Sequence, residues 1–388
     1  MKLRPNRRRL LIMVGVIFAS FAGTLVVGAA RDGHEVKHSG RHEVARLTEK
    51  MKAVCVGRFL IDIPVDVQVE LGRASIDGIN VAAFDESSEE FERRLLDRMA
   101  QITNTPDRLG GNKNLESTRV VNTASGLVGK IFVHGRTVSE GTRAKGLELE
   151  RYRYEGIAVE AQVHGNGTSI ELISENRDLK WTDDISNLAN KLVANPENRI
   201  PAESGFCIDR AYVRDPLRAD QGEAIMMAAT SLEHPDVKFA LFLSAGLEPN
   251  RQGLLERSRA ADALLTSEQA MRMKTLRATS REINGLNGEE LVQSFFEENG
   301  ATVHSFWWEL IGSENSVFTP HILFKMDTGY GEHGPLHSSL SAGEAAALWD
   351  KVLSSFRPRA GTRSISVPRP TNGPANSERS GKPTARRQ

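Results

Sequence analysis

Between residues 51 and 356, apolar side chains recur at every second position in short runs, the mark of half-buried strands. In one half these runs predict strands over 54–63, 76–84, 115–121, 130–138, 148–154, 157–163 and 169–174. In the other they predict strands over 208–213, 224–229, 238–244, 291–297, 302–311 and 322–326. Elsewhere the period lengthens to that of a helix. The capping-box pair Ser87 and Glu90 opens one helix, whose apolar stripe is Phe91, Leu95 and Met99. Further helices are predicted over 182–193, 252–265 and 342–356, and Gly165-Asn166-Gly167 reads as a hairpin turn. Strands joined by hairpins, with one or two helices per half, predict an α+β fold. It is built as two tandem related domains, each an antiparallel sheet with one or two covering helices.

The relatedness of the halves comes from spaced echoes. Cys55 is followed at +3 by Arg58 and at +9 by Pro64, and Cys207 at +3 by Arg210 and at +9 by Pro216. Gly126-Leu127-Val128-Gly129 returns as Gly285-Leu286-Asn287-Gly288, and helices closed by Pro196 and Pro358 end the two halves. Small insertions in the second copy explain why the offset between echoes grows along the chain. The domains are expected over 53–196 and 205–357, with a hinge over 197–204.

Charge changes the picture at the two ends. Residues 1–9 hold Lys2, Arg4, Arg7, Arg8 and Arg9, and residues 10–30 carry no charge at all. A basic segment followed by such an apolar run is an export signal that keeps the basic end inside and translocates the rest. The length of the run favours an uncleaved anchor in the inner membrane, whereas Gly28, Ala29 and Ala30 suit signal peptidase, so anchor and cleaved signal both stay open. A polar stalk is expected over 31–52, and a disordered basic tail over 358–388, too poor in apolar residues to offset its ordering entropy. Without residues 1–9 and 357–388, the body carries 37 basic against 49 acidic residues, a net charge of −12. An acidic body argues against nucleic acid as a partner.

Candidate chemistry is sparse. His34-Glu35-Val36-Lys37-His38 matches the zinc-protease spacing, but it lies among polar stalk residues with nothing to dock it on a rigid helix, and a chance match explains it. Asp327-Thr328-Gly329 follows an apolar run as an aspartic-protease triplet does; the first half offers no second triplet to share a proton, so a strand ending in a glycine turn is the reading. No nucleophile elbow, phosphate loop or dinucleotide fingerprint is present. Neither a catalytic residue nor a cofactor is expected. Cys55 and Cys207 are either a disulfide, which an oxidising compartment permits, or two buried thiols. Trp307 and Trp308 fall on opposite faces of a strand, one of them free to anchor a partner, and the glycine-rich loop with Tyr330, Glu332 and His333 is a candidate recognition loop.

The segments 55–64, 195–201 with 205–209, and Ser305-Phe306-Trp307-Trp308-Glu309 resemble the cognate immunity proteins of the fourth class of type VI secretion lipase effectors. Gly253-Leu254-Leu255-Glu256-Arg257 and Gly288-Glu289-Glu290-Leu291 add to the likeness, which spans about 51–356. The resemblance implies a periplasmic protein without catalytic residues that binds and neutralises a lipase, clamping its lid or substrate entrance. Two rivals stand beside it: a membrane-tethered module that binds envelope components, and a zinc hydrolase using His34 and His38.

Overall fold

A computed structural model describes residues 44–360, apart from 147, 216–220, 247–251 and 315. The basic start, the apolar run 10–30, His34 to His38, Pro216 and the tail from 361 lie outside the described residues. Among those described, no helix is long and apolar enough to cross a membrane.

The first half opens with hairpin β1 (Met51–Val56) and β2 (Phe59–Pro64), followed by β3 (Val67–Leu71), β4 (Ala74–Ile76) and β5 (Ile79–Asp85). Helix α1 (Ser88–Asn104) precedes a four-strand meander of β6 (Leu115–Asn122), β7 (Val128–Lys145), β8 (Glu148–Gly165) and β9 (Thr168–Arg177). The half ends in α2 (Asp184–Ala189) and β10 (Leu192–Ala194). The second half repeats the order: hairpin β11 (Gly205–Ile208) and β12 (Ala211–Arg214), then β13 (Glu223–Ser231) and β14 (Lys238–Ala245), then α3 (Leu254–Asp262) and the short α4 (Ser267–Met271). Its meander is β15 (Met273–Ile283), β16 (Leu286–Phe296), β17 (Thr302–Leu310) and β18 (His321–Thr328). The small hairpin β19 (Tyr330–Gly331) and β20 (Gly334–Pro335), helix α5 (Ala342–Ser354) and β21 (Arg357–Pro358) complete it.

The halves are not separate beads. One 13-stranded sheet runs through both, in the order β15-β16-β17-β18-β14-β13-β4-β5-β9-β8-β7-β6, with β3 also on β13. Read inward from its two ends, this is the same succession twice, meeting where β13 pairs β3 and β4. The terminal strands are exchanged: β10 of the first half joins β12 of the second, and β21 of the second joins β2 of the first. Both small sheets touch through paired backbone bonds between Gly57 and Cys207. The main core lies on the face covered by α2, α5 and these hairpins; Trp308, Trp349, Phe306, Phe324 and Phe356 fill its second half. A smaller cluster, Phe91, Leu95, Ile102 and Phe132, seats α1 on the opposite face.

The repeated glycines have the same physical reason in each half. Gly126 and Gly285 turn the hairpins at φ +84° and +83°. Gly129 and Gly288 lie where a neighbouring strand leaves no room: a Cβ at 129 would strike the Gln162 carbonyl, and one at 288 the Trp308 ring and the Glu309 carbonyl.

Several expected elements differ. The runs 54–63, 76–84 and 208–213 are hairpins rather than single strands, because left-handed turns at Gly57, at Asp77-Gly78 and at Arg210 are hidden inside apolar sequence. The runs 148–154 and 157–163 are one strand, and the helix expected over 182–193 stops at Ala189, giving its last residues to β10. Pro358 and Arg359, placed in the tail by sequence, belong to the folded body: Pro358 pairs with Phe59, and the buried Arg359 guanidinium donates to the carbonyls of Pro201, Glu203 and Gly205. At the other end Leu47 is in the core, and the Lys52 ammonium donates to the Val65 and Val67 carbonyls, so the stalk joins the body before residue 52.

Candidate functional site

Cys55 and Cys207 are joined, with Cα atoms 5.9 Å apart and a sequence separation of 152. Three residues on, Arg58 enters the same junction. Its Nε and Nη2 donate to the two carboxylate oxygens of Glu223 at 2.8 and 2.7 Å, and Nη1 donates to Asp215 at 3.1 Å. The Arg58 side chain is 2% exposed and that of Glu223 3%, so this is a buried ion pair tying the first hairpin to the second half. Its counterpart in the repeat, Arg210, faces outward to Asp85 instead. The crossing expected to act as a hinge is fastened too, through Arg359 on three of its carbonyls and Asn198 on the Arg210 N–H and Asp209.

In each half a buried carboxylate is held by an arginine of the outer-face helix. Arg98 of α1 grips Glu160 at 2.7–3.0 Å, and Arg257 of α3 donates to Glu309 at 2.6 Å. Burial opposes ionisation of Glu160, but the bonds from Arg98 and Gln162, with His134 Nε2 3.6 Å away, outweigh it and hold the carboxyl down at about 2. Glu289 accepts from the Leu255 N–H at the start of α3, and a side chain at Gly253 would press on that carboxylate. These contacts anchor helices; they are not an acid–base pair open to a substrate. Among the described residues no three His, Cys, Asp or Glu are grouped to hold a metal ion.

Between α1 and α3 the outer face of the sheet lies open. Met226, Phe242 and Leu323 are consecutive cross-strand neighbours there, Met226 being 49% exposed, with Ala228 and Asn80 also exposed. Trp307 stands on the same face, half-buried and fixed from two sides. Its Nε1 donates to Ser305 Oγ at 2.8 Å, and the Lys325 ammonium lies 4.5 Å above its ring, itself paired with Asp327 at 2.6 Å. Asp327 also accepts from Ser305, so the triplet beginning there orders this cluster and ends a strand at Gly329, φ +85°. Trp308 is a correction to the expected partner contacts. It is fully buried, its Nε1 donating to the Arg281 carbonyl, so it belongs to the core. Tyr330 is half-buried, and Glu332 and His333 are exposed at the tip of the β19–β20 hairpin; burial, with Glu297 and Asp327 nearby, pushes the Tyr330 hydroxyl upward. Asp327 thus stands near both this loop and the Trp307 cluster.

A second exposed feature escaped the sequence reading. β7 pairs β6 only as far as His134, and β8 pairs β9 only from Ile157, so residues 138–145 and 148–155 pair with each other alone. Two-residue alternation was visible there, but nothing in it distinguishes a ribbon from an interior strand.

The chain matches the N-terminal domain of Tle cognate immunity protein 4 over residues 52–190 and the C-terminal domain of the same family over residues 199–361. It belongs to that family, the immunity proteins of type VI secretion lipase effectors, which bind an effector and catalyse nothing themselves. Among solved structures it is similar to the immunity protein TplEi of the type VI secretion system of Pseudomonas aeruginosa, complexed with a peptide called "L". That match has 23% identity and a TM-score of 0.63, covering 80% of this chain and 98% of the other. The apo form of TplEi gives 23% identity and 0.64, over 80% and 97%. The immunity protein in the Tle4–Tli4 complex gives 24% identity and 0.63, over 80% and 97%. No curated relative matches the chain.

Proposed function

We propose that this immunity protein is exported, acts on the periplasmic side of the inner membrane, and neutralises its lipase by covering the lid or substrate entrance with a preformed surface. Export rests on the basic start and the uncharged run 10–30, and the same run would serve as the membrane anchor. The observation that carries the surface is the outer face, where exposed Met226 and half-buried Phe242, Leu323 and the fixed Trp307 reach solvent on a sheet whose other face is sealed. An enzyme that admits lipid must expose apolar groups at its entrance, and a flat apolar face meets them without reorganising. That the similar immunity protein Tli4 was solved with Tle4 supports an effector partner of this kind.

The experiment is a titration of phospholipase activity, using the cognate lipase effector of the fourth class. Activity is expected to fall linearly to zero at one immunity protein per lipase. Undiminished activity at a tenfold excess of folded protein would remove the reading.

A further inference from the structure

The internal duplication supplies a control for every element, since what one half has and the other lacks is not needed to build the fold. Strands β16 and β17, 11 and 9 residues long, are the counterparts of β7 and β8, at 18 residues each. The surplus is the free ribbon 138–155, which at about 3.3 Å per residue projects roughly 25 Å beyond the sheet. A two-stranded ribbon without a third strand is marginal in water, so its side chains must hold it. Tyr152 lies across Gly141, where any side chain would sit 3.0 Å from the Tyr152 hydroxyl, and the Tyr154 hydroxyl donates to the Asn176 carbonyl at 3.0 Å. Arg153 pairs with Glu140 and Glu155, and Arg143 with Glu150. Even so, Leu149 is 77% exposed, Tyr152 38% and Tyr154 40%.

Tyrosine and arginine dominate binding hot spots, and here the Tyr154 hydroxyl is bonded and Arg153 has two carboxylate partners before any partner protein arrives. The charges of the ribbon balance, so it is not an electrostatic lure for nucleic acid. Its shape is convex and narrow, with one apolar tip residue and two aromatic rings. Resting on the reading of this protein as a lipase inhibitor, we propose that the 138–155 ribbon inserts into the apolar-lined substrate entrance of the lipase and is the part that blocks turnover, while the open sheet face holds the enzyme in place. The occupant of the crevice is thus the inhibitor's own hairpin, where an acyl chain would otherwise enter.

The test uses the full chain and two variants: one with residues 139–154 replaced by Asn-Gly to close the hairpin at its base, and the double variant Tyr152→Ser with Leu149→Ser. Thermal melting establishes that each is folded, the double variant serving if the shortened one is not. With the cognate lipase effector, each variant is expected to inhibit about thirtyfold more weakly than the full chain or to bind without inhibiting. Inhibition by both variants at the potency of the full chain would overturn the ribbon proposal and leave the immunity reading intact. Failure of the unaltered chain to inhibit would overturn that reading, and the proposal with it.

Discussion

Trp307 and Trp308 are neighbours in sequence with opposite fates, and the pleat alone separates them. Trp308 is sealed in the core beside Phe356 and over Gly288, so Trp308→Ala should cost about 3–5 kcal/mol of stability, read as a fall in denaturation midpoint. Trp307 is half-exposed and held by Ser305 and Lys325, so Trp307→Ala should leave the midpoint within about 1 kcal/mol while weakening lipase binding roughly thirtyfold or more in a calorimetric titration. Equal effects of the two on stability would contradict the assignment of faces. Glu160 gives a pH dependence. Its folded carboxyl titrates at about 2, below the 4.5 of an unhindered glutamate, so its stabilising contribution is complete above about pH 5 and is lost as pH falls toward 2. Up to about 3 kcal/mol is at stake from a shift of that size. Urea midpoints between pH 6 and pH 3 should therefore drop more steeply for the natural protein than for Glu160→Gln, which starts lower and varies less; parallel curves would show that Glu160 is not the group responsible.

At the level of elements, the C-terminal strap sets the minimal folded unit. β21 closes the first hairpin, and Arg359 satisfies three carbonyls of the crossing segment, so ending the chain after Phe356 leaves buried carbonyls without donors. A protein spanning 44–360 should melt several degrees above one spanning 44–356, by circular dichroism. Identical melting would mean the strap contributes nothing. The same elements show what sequence can reveal. Strands β13, β14 and β18 carry buried apolar residues at alternate positions and were legible, as were α1 from its capping box and α5 from its helical period. β15 was missed because an edge strand exposes nearly every side chain; β3 alternates as a strand should, but over only five residues between two other short strands. Site residues divide likewise. Half-exposed Trp307 could be nominated from alternation, yet the ribbon's freedom depends on where neighbouring strands stop pairing, a long-range fact that no local pattern carries.

For the molecule as a whole, the duplicated sequence suggested two domains on a hinge, but the sheet, the exchanged strands and the buried Arg58–Glu223 pair make each half the completion of the other. The disulfide adds a covalent tie where the hairpins already touch. On the chain-entropy account, joining residues separated by 152 in sequence is worth about 5 kcal/mol, so reduction, or Cys55→Ala with Cys207→Ala, should lower the urea midpoint by a corresponding amount without changing the folded spectrum. An unchanged midpoint would show that the reduced, unfolded chain is already restricted.

Separating the halves should be far more damaging than reducing the disulfide. Residues 44–196 alone would expose β3 and β4 as an unpaired edge, lack the strand that completes β2, and leave the Arg58 guanidinium without Glu223; removing one partner of a buried pair typically costs about 3–5 kcal/mol by itself. Residues 197–360 alone would lose β10 from the β11–β12 hairpin and leave Glu223 as an unpaired buried carboxylate. Those losses rival the entire stability of an ordinary domain, about 5–15 kcal/mol. Neither half is therefore expected to give a dispersed amide spectrum on its own or to protect cells producing the lipase, whereas the two co-expressed in the same compartment should reassemble and protect. This separates two ways for both halves to be needed. Hinged jaws would leave each half folded and weakly binding, its affinity lowered only by the lost partner site. A body completed by exchange leaves each half unfolded and restores everything on mixing, so a single half that is folded and binds the lipase would decide for jaws and against the interlocked body.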